Sequence, residues 1–393
     1  MRIIIVGGGI GGLALANGLT RTAHDVVVVE RDHDLAATPG YHITLRSAAQ
    51  AALRELVSSE SFDLLLDAAS DGARRGADAI FDDQGTERGA FDIDPDVGID
   101  VDRVTLRLLL AEAVSGELLR GRVGVAATAD RDGAMVELDD GEVLRGDLVV
   151  AADGVGSRIA AMLAGRPTST PTGLIGVSGR TVATALDVEE RTRLGARSSL
   201  ATGADATALY VGFHDPIGHA VQGRPTPLIS ATQEATYIWG AMLAEDGRGA
   251  TLRGLGGAAL RDATVSALRA AGWGDVPLRA LLATEVDGVA AFRFNAAATE
   301  APELAPWAAG RITAIGDAVH ATPPTAGMGA GIAIEDAADL VGALAGDTNP
   351  EARLEPVHAR MRERGAAAIQ RAMFGVDMIL RTRSTPEDSI AKT

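Results

Sequence analysis

Ile3-Ile4-Ile5-Val6-Gly7-Gly8-Gly9-Ile10-Gly11-Gly12 is the stretch on which the reading of this chain turns. Four consecutive apolar residues of high β-propensity spell a buried strand. The glycines after them open into an apolar helical pattern at Leu13, Leu15 and Leu19. Strand, glycine turn and helix in that order form the context of a dinucleotide site. Gly7 permits the tight turn, Gly9 lets the backbone approach a pyrophosphate, and Gly12 lets the helix pack closely on the strand, with Gly11 in the same loop. The amino end of the helix presents N–H groups that lack partners within the helix, and these favour an anion.

Working outward, residues 25–29 read as the next strand, which ends at Glu30, eighteen residues beyond Gly12. A carboxylate there accepts a hydrogen bond from an adenosine 2′-hydroxyl and repels a 2′-phosphate, which favours FAD or NAD over NADP. Three hundred residues on, Ala314-Ile315-Gly316-Asp317-Ala318-Val319-His320 ends a second strand in the same manner. The two endings together imply bound FAD, because a nicotinamide dinucleotide alone leaves Gly316 and Asp317 without a ligand.

Composition narrows the alternatives. At 393 residues the chain exceeds what one simple core usually serves, and with 47 % hydrophobic and 23 % charged residues it reads as globular throughout. A net charge of −17 repels polyanions and argues against a nucleic-acid partner. With no cysteine, disulfides, iron–sulfur clusters, thiolate zinc sites and a cysteinyl flavin bond are excluded, so any FAD is held noncovalently. No metal site is expected. Arg2 and the apolar run after it mimic a signal peptide, but the glycine cluster has the better explanation. No apolar run reaches membrane-spanning length, and a cytoplasmic location is expected. The one lysine, Lys392, leaves little scope for lysine-based catalysis.

Along the chain, helices are expected over 47–56, 104–119 and 258–271, with a long terminal helix over 350–381. Short segments between 71 and 102 suggest strands leaving the nucleotide domain. Residues 135–144 read as a hairpin around Asp139-Asp140-Gly141. The run Leu148-Val149-Val150-Ala151-Ala152 lacks polar alternation, as a parallel strand covered on both faces does, and it ends at Asp153-Gly154-Val155-Gly156-Ser157-Arg158. Short apolar runs at 208–211, 236–239 and 290–292 suggest a sheet in a second domain. There is no internal repeat.

These motifs resemble the FAD-dependent aromatic hydroxylases, the single-component flavoprotein monooxygenases that include para-hydroxybenzoate hydroxylase and the tetracycline-inactivating monooxygenases. The likeness runs nearly end to end. Its three signatures stand in family order: the glycine loop, Asp153-Gly154, and Gly316-Asp317 continuing through Pro323-Pro324, Gly327, Gly329 and Glu335-Asp336-Ala337. The resemblance implies an α/β fold: a Rossmann-type FAD-binding domain with an inserted, mainly β-sheet substrate domain and a long C-terminal helix. The divisions expected are 1–70, 101–168 and 296–345 for FAD, 71–100 and 169–295 for substrate, and 346–393 for the terminal helix and tail.

The cofactor residues implied are Gly7, Gly9, Gly11, Gly12, Glu30, Arg31, Arg46, Arg103, Asp153, Gly154, Gly316, Asp317, Pro324, Gly327, Gly329, Ala330 and Gly331. Asp317 is expected on the ribityl chain, and a helix beginning near Gly329 is expected to place its dipole against reduced flavin. Asp153 and Asp317 also admit a plainer reading as helix caps. His320 reads as a structural hydrogen-bonding residue or a general base. Two departures stand out. Ala160 holds the arginine position of the family's Ser-x-x-Arg pattern, and Gly331 stands where many relatives place asparagine.

By the same resemblance the chain is an FAD- and NAD(P)H-dependent monooxygenase. NAD(P)H reduces the flavin, O₂ is captured as a C4a-hydroperoxide, and one oxygen atom enters an apolar, aromatic or polycyclic small molecule. No catalytic residue beyond the flavin is needed. The substrate wall is expected from Tyr210, Phe213, Trp239, Met242 and Phe292, with Thr325 and Ala326 on the flavin side. The partners are then the small-molecule substrate and O₂, with neither nucleic acid nor membrane. A same-fold protein whose FAD is structural, acting as a non-oxidative cyclase or metabolite binder, stays open. A halogenase does not fit, because Trp239, Trp273 and Trp307 form no Trp-x-Trp motif and Lys392 is not placed as an active-site lysine.

Overall fold

The computed structural model describes residues 1–37, 42–71, 76–91, 96, 98–215, 234–246, 249–345 and 350–382; Tyr41, Lys392 and parts of the 346–393 segment lie outside them. Its first layer is a five-stranded parallel sheet in the order Ile312–Ala314, Leu148–Ala151, Arg2–Val6, Asp25–Glu30, Glu117–Arg120. The strand read first from the sequence is the central one. Ile3, Ile4 and Ile5 are fully buried, as are Val149 and Val150 beside them, because helices and a second layer cover the two faces. Helix Ile10–Arg21 covers one face together with Gly329–Leu344, and the three-stranded antiparallel unit Gly124–Asp130, Gly133–Leu138 and Val143–Gly146 lies on the other side.

A seven-stranded sheet forms the second body, in the order Ala290–Ala296, Thr170–Val182, Thr236–Ala244, Thr207–His214, Ser198–Gly203, Ala79–Asp82, Glu87–Ala90. Two chain excursions supply it. One face carries Tyr237, Trp239, Leu209 and Val211 and is covered by helices Gly257–Ala270 and Asp275–Leu282. The other face carries Leu174, Ala208, Met242 and Phe294 and meets Val376 and Ile379 of the terminal helix Pro350–Leu380. A cavity lies on this second face.

Two elements differ from the sequence expectation. The helix expected over 104–119 is Arg103–Glu112, and the chain then forms the edge strand Glu117–Arg120. Leu118 and Leu119 pair with Val28 and Val29 there, and a Cβ on Gly116 would stand 2.6 Å from the Val26 carbonyl oxygen, an approach only glycine tolerates. The longest strand, Thr170–Val182, was not anticipated because Gly173, Gly176 and Gly179 break its apolar alternation. The last two of these glycines are packing devices: a Cβ on Gly176 would stand 2.5 Å from the Phe294 ring, and one on Gly179 would overlap the Trp239 indole.

Candidate functional site

Every strand of the parallel sheet points its carboxyl end the same way, so the loops after Val6, Glu30, Ala151 and Ala314 converge on one edge. At Gly7 the backbone has φ +115°, and a Cβ would overlap the Ala152 carbonyl; one on Gly12 would overlap the Gly7 carbonyl. Gly11 faces Ala333 of the neighbouring helix, 3.1 Å from the position a Cβ would take. Gly9 differs. A Cβ there meets nothing within 4 Å, and Gly9 is the N-cap of Ile10–Arg21 with no side-chain cap bond. The loop is thus packed on its inner side and open at Gly9, above the uncapped N–H groups, as a pyrophosphate cradle requires.

Glu30 is 4 % exposed, and its Oε2 accepts the Gly8 N–H at 2.6 Å and lies 3.1 Å from Arg107 Nη2. Its Oε1 accepts the Asp32 N–H at 2.7 Å, which leaves that oxygen a lone pair for a ribose hydroxyl. Arg107, buried on helix Arg103–Glu112, also donates to the Gly8 carbonyl at 2.9 Å and to Asp32 Oδ2 at 2.8 Å. It ties the glycine loop to the acid, and the sequence reading missed it. The available signal was its spacing: Arg107 stands four residues after Arg103, hence on the same helix face. Arg31 is mostly exposed, in an ion pair with Asp32, and its charge reaches Asp153.

Neither aspartate expected at the cofactor occupies the N-cap position of the helix after it, although the Asp153 carboxyl bonds with Ser157 and the Arg158 backbone. Ser157 caps Arg158–Ala164 by accepting the Ala160 N–H at 3.0 Å, and Gly316, at φ +64°, occupies the cap position before Asp317–His320. Asp153 Oδ1 and Asp317 Oδ1 are both buried with no hydrogen-bond partner among the described residues. Burial pushes both carboxyl groups above the usual carboxylate range. For Asp317 this occurs despite the nearby charges of His320 and Arg103. Buried acceptors without donors are costly, so each of these oxygens is an open acceptor for a ligand's donor group.

His320 is fully buried, and its Nε2 lies 2.5 Å from Asp336 Oδ2, which also accepts the Gly316 N–H at 3.0 Å. Asp336 Oδ1 accepts from Arg364 at 2.7 Å. Burial alone would lower the imidazole pKa, but the Asp336 carboxylate outweighs it and holds His320 above its ordinary value. Burial likewise opposes ionisation of Asp336, which His320 and Arg364 hold below the usual range. This network anchors the Gly316 turn from behind, in line with a structural role for His320.

Beyond Asp317, the 324–327 segment leads into helix Gly329–Leu344, whose N-cap, Met328, makes no side-chain cap bond. A Cβ on Gly329 would be 3.6 Å from Asp317 Oδ1, and one on Gly331 would be 3.3 Å from the Ala49 Cβ, so the helix start lies against both the aspartate and helix Ser47–Leu56; Ala330 is half-buried between them. Glycine at 331 therefore makes room for Ala49. Gly154 is in the turn after Leu148–Ala151, with open space beside it.

Pro324, Thr325, Ala326 and Gly327 also wall a cavity of about 570 Å³ between the seven-stranded sheet and the terminal helix. Arg46 lines it. Tyr210, Met242 and Phe292 line it, joined by Phe294 and by Phe374 and Met378 of the terminal helix, which carry no motif in the sequence. Trp239 borders the cavity along its strand, but its indole is 1 % exposed and donates to Thr284 at 2.6 Å. Phe213 does not line it. Residues 210 and 213 of one strand point to opposite faces, and Phe213 packs on Tyr237 with ring centroids 5.1 Å apart.

Among the described residues, no helix is long and apolar enough to cross a membrane. In sequence, residues 5–43 match the NAD(P)-binding Rossmann-like domain and residues 278–372 match the FAD binding domain. Chloroplastic zeaxanthin epoxidase of Solanum lycopersicum is 27 % identical over 359 residues, covering 86 % of this chain and 47 % of that protein. The dual O-methyltransferase/FAD-dependent monooxygenase elcB of Phaeosphaeria nodorum is 27 % identical over 412 residues, covering 95 % of this chain and 43 % of its own. The chain spans about half the length of these curated relatives. Among solved structures, a putative FAD-containing monooxygenase from Photorhabdus luminescens superposes with a TM-score of 0.77 at 19 % identity, covering 97 % of this chain and 98 % of that one. Klebsiella pneumoniae HpxO complexed with FAD and uric acid superposes with a TM-score of 0.75 at 19 % identity, covering 96 % and 88 %.

Proposed function

As a member of the FAD-dependent aromatic hydroxylase family, this chain is, we propose, a monooxygenase that uses NAD(P)H and O₂ to place one oxygen atom on an apolar, aromatic or polycyclic small molecule. The observation that carries the proposal is the double duty of the 324–327 segment. It walls the 570 Å³ cavity, stands seven residues past Asp317, and leads directly into the uncapped helix Gly329–Leu344. A substrate in the cavity therefore lies against the same segment that borders the cofactor residues.

Bound FAD supplies the redox chemistry, accepting a hydride and activating O₂. The chain's own residues do the rest. Glu30 would hold the adenosine ribose, the open side of Gly9 the pyrophosphate, and Asp317 a ribityl hydroxyl. The start of Gly329–Leu344 would stabilise negative charge on the reduced ring. Tyr210, Met242 and Phe292 bind the apolar substrate, and the terminal helix keeps water from the reacting face. We take 1–70, 101–168 and 296–345 as the FAD-binding part, 71–100 with 169–295 as the substrate part, and 346–393 as the terminal helix and tail. The reaction is assigned to the cytoplasm, where NAD(P)H is supplied.

The test is a visible spectrum of the purified protein, repeated anaerobically with NADH or NADPH, then turnover under isotopically labelled dioxygen. The expected outcome is a flavin spectrum that bleaches with reductant, and product carrying one labelled oxygen. Product formed without dioxygen-derived oxygen and without pyridine-nucleotide oxidation would replace this reading with a non-oxidative one.

A further inference from the structure

On the cavity face of the seven-stranded sheet, Ser178, Gly240 and Tyr210 stand side by side on three neighbouring strands, in register. Directly paired residues of antiparallel strands project to the same face with Cβ atoms roughly 5 Å apart. All three line the cavity. The middle position has no side chain, and a Cβ built on Gly240 meets nothing within 4 Å. The row therefore has a notch at its centre. One flank is the Tyr210 ring, whose hydroxyl is already paired with Ser198 at 2.8 Å. The other flank is Ser178, 2 % exposed, whose hydroxyl is buried with no hydrogen-bond partner among the described residues.

An unpaired hydroxyl on a buried sheet face costs free energy, and the open space at Gly240 beside it admits a substituent of a bound molecule. The neighbouring side chains Met242, Phe292 and Phe294 are apolar, while Arg46, Asp78, Asp96, Ser198 and Arg371 line other parts of the cavity. We infer that the Gly240 notch is a polar recognition point of the substrate cavity: it receives a hydroxyl or carbonyl oxygen of a largely apolar ring system, hydrogen-bonded by the Ser178 hydroxyl. Ser178 is then a specificity-determining residue that orients the ring. This inference rests on the cavity being the substrate site.

Matched probes test it by calorimetry on the FAD-loaded protein, which needs no turnover and so separates it from the oxygenation reading. Wild-type protein is expected to bind 2-naphthol in preference to 2-methylnaphthalene, which has the same shape but no hydroxyl. Ser178→Ala removes the preference by weakening 2-naphthol roughly three- to tenfold and leaving 2-methylnaphthalene unchanged. Gly240→Ala, whose methyl enters open space without a protein clash, is expected to keep the melting temperature and FAD content of wild type while weakening both probes about tenfold or more. Equal or undetectable binding of the two probes by wild type, a preference that survives in Ser178→Ala, or undiminished binding by Gly240→Ala overturns the inference.

Discussion

Gly9 and Gly12 are three residues apart and serve opposite masters, which makes them a clean pair of substitutions. A side chain on Gly9 enters open space, and its extended backbone suits valine, so Gly9→Val should fold yet lose FAD affinity by about a hundredfold or more, equivalent to about 3 kcal/mol. Gly12→Ala should instead destabilise the whole protein by about 1–3 kcal/mol, because its methyl overlaps the Gly7 carbonyl. Flavin content and thermal melts of the two variants, read together, check the assignment. Asp317 offers a test by pH. Its carboxyl is raised by burial, so the folded, FAD-free protein holds the proton over the window from the ordinary carboxylate range up to that raised value, while the unfolded chain does not. Stability contributed at this site therefore falls as pH rises through that window. Asp317→Asn should make the FAD-free protein more stable than wild type at neutral pH, the gap closing in acid, while lowering FAD affinity. A gap in melting temperature that does not change with pH would contradict the assignment. These acids were legible in the sequence because each stands just beyond an apolar run. Arg107 was not, since an arginine within Arg103-Val104-Thr105-Leu106-Arg107 reads equally well as a solvated position.

The terminal helix Pro350–Leu380 bears on the site through two glycines. A Cβ on Gly365 would stand 2.7 Å from His320 Cβ, and one on Gly375 would stand 2.9 Å from Thr325 Cβ. Thr325 also donates its hydroxyl to the Ala372 carbonyl at 2.7 Å, so the helix sets the position of the cavity wall that faces the cofactor residues. Gly375→Ala should leave FAD affinity within about twofold while weakening substrate binding by about three- to tenfold, since the methyl displaces Thr325 and not Asp317. Parallel titrations of the two ligands measure this, and an equal loss of both would refute it. The sequence announced this helix by its length and periodicity, yet nothing in the pattern said which residues face the cavity. The strand Thr170–Val182 was hidden for the converse reason: the glycines that let the Phe292, Phe294 and Trp239 rings cross it erase the alternation by which strands are recognised.

In the molecule as a whole, the cofactor edge is written in short contiguous motifs, whereas the cavity is assembled from strand residues and helix residues far apart in the chain. That contrast explains why the glycine loop, Glu30 and Asp317 stand out in the sequence, whereas Phe213 lies on the face away from the cavity and Phe374 lines it without any motif. The parallel sheet has a further consequence, for the order in which the polypeptide is made. Leu148–Ala151 leaves the ribosome long before its parallel partner Ile312–Ala314, to which it is joined in register at Val149 and Ile312, Val150 and Thr313, Ala151 and Ala314. Until residues 312–344 are synthesised, a wholly apolar strand edge stays unpaired, and Gly316, Asp317 and the helix behind them do not yet exist. A nascent chain arrested before residue 312 should retain no flavin and should engage chaperones, while extension through residue 382 should end both conditions. Pull-down of arrested complexes with a flavin fluorescence readout measures this, and flavin on the arrested chain would refute it. For this protein, loading of the cofactor waits for the strand at Ile312–Ala314 and the turn after it.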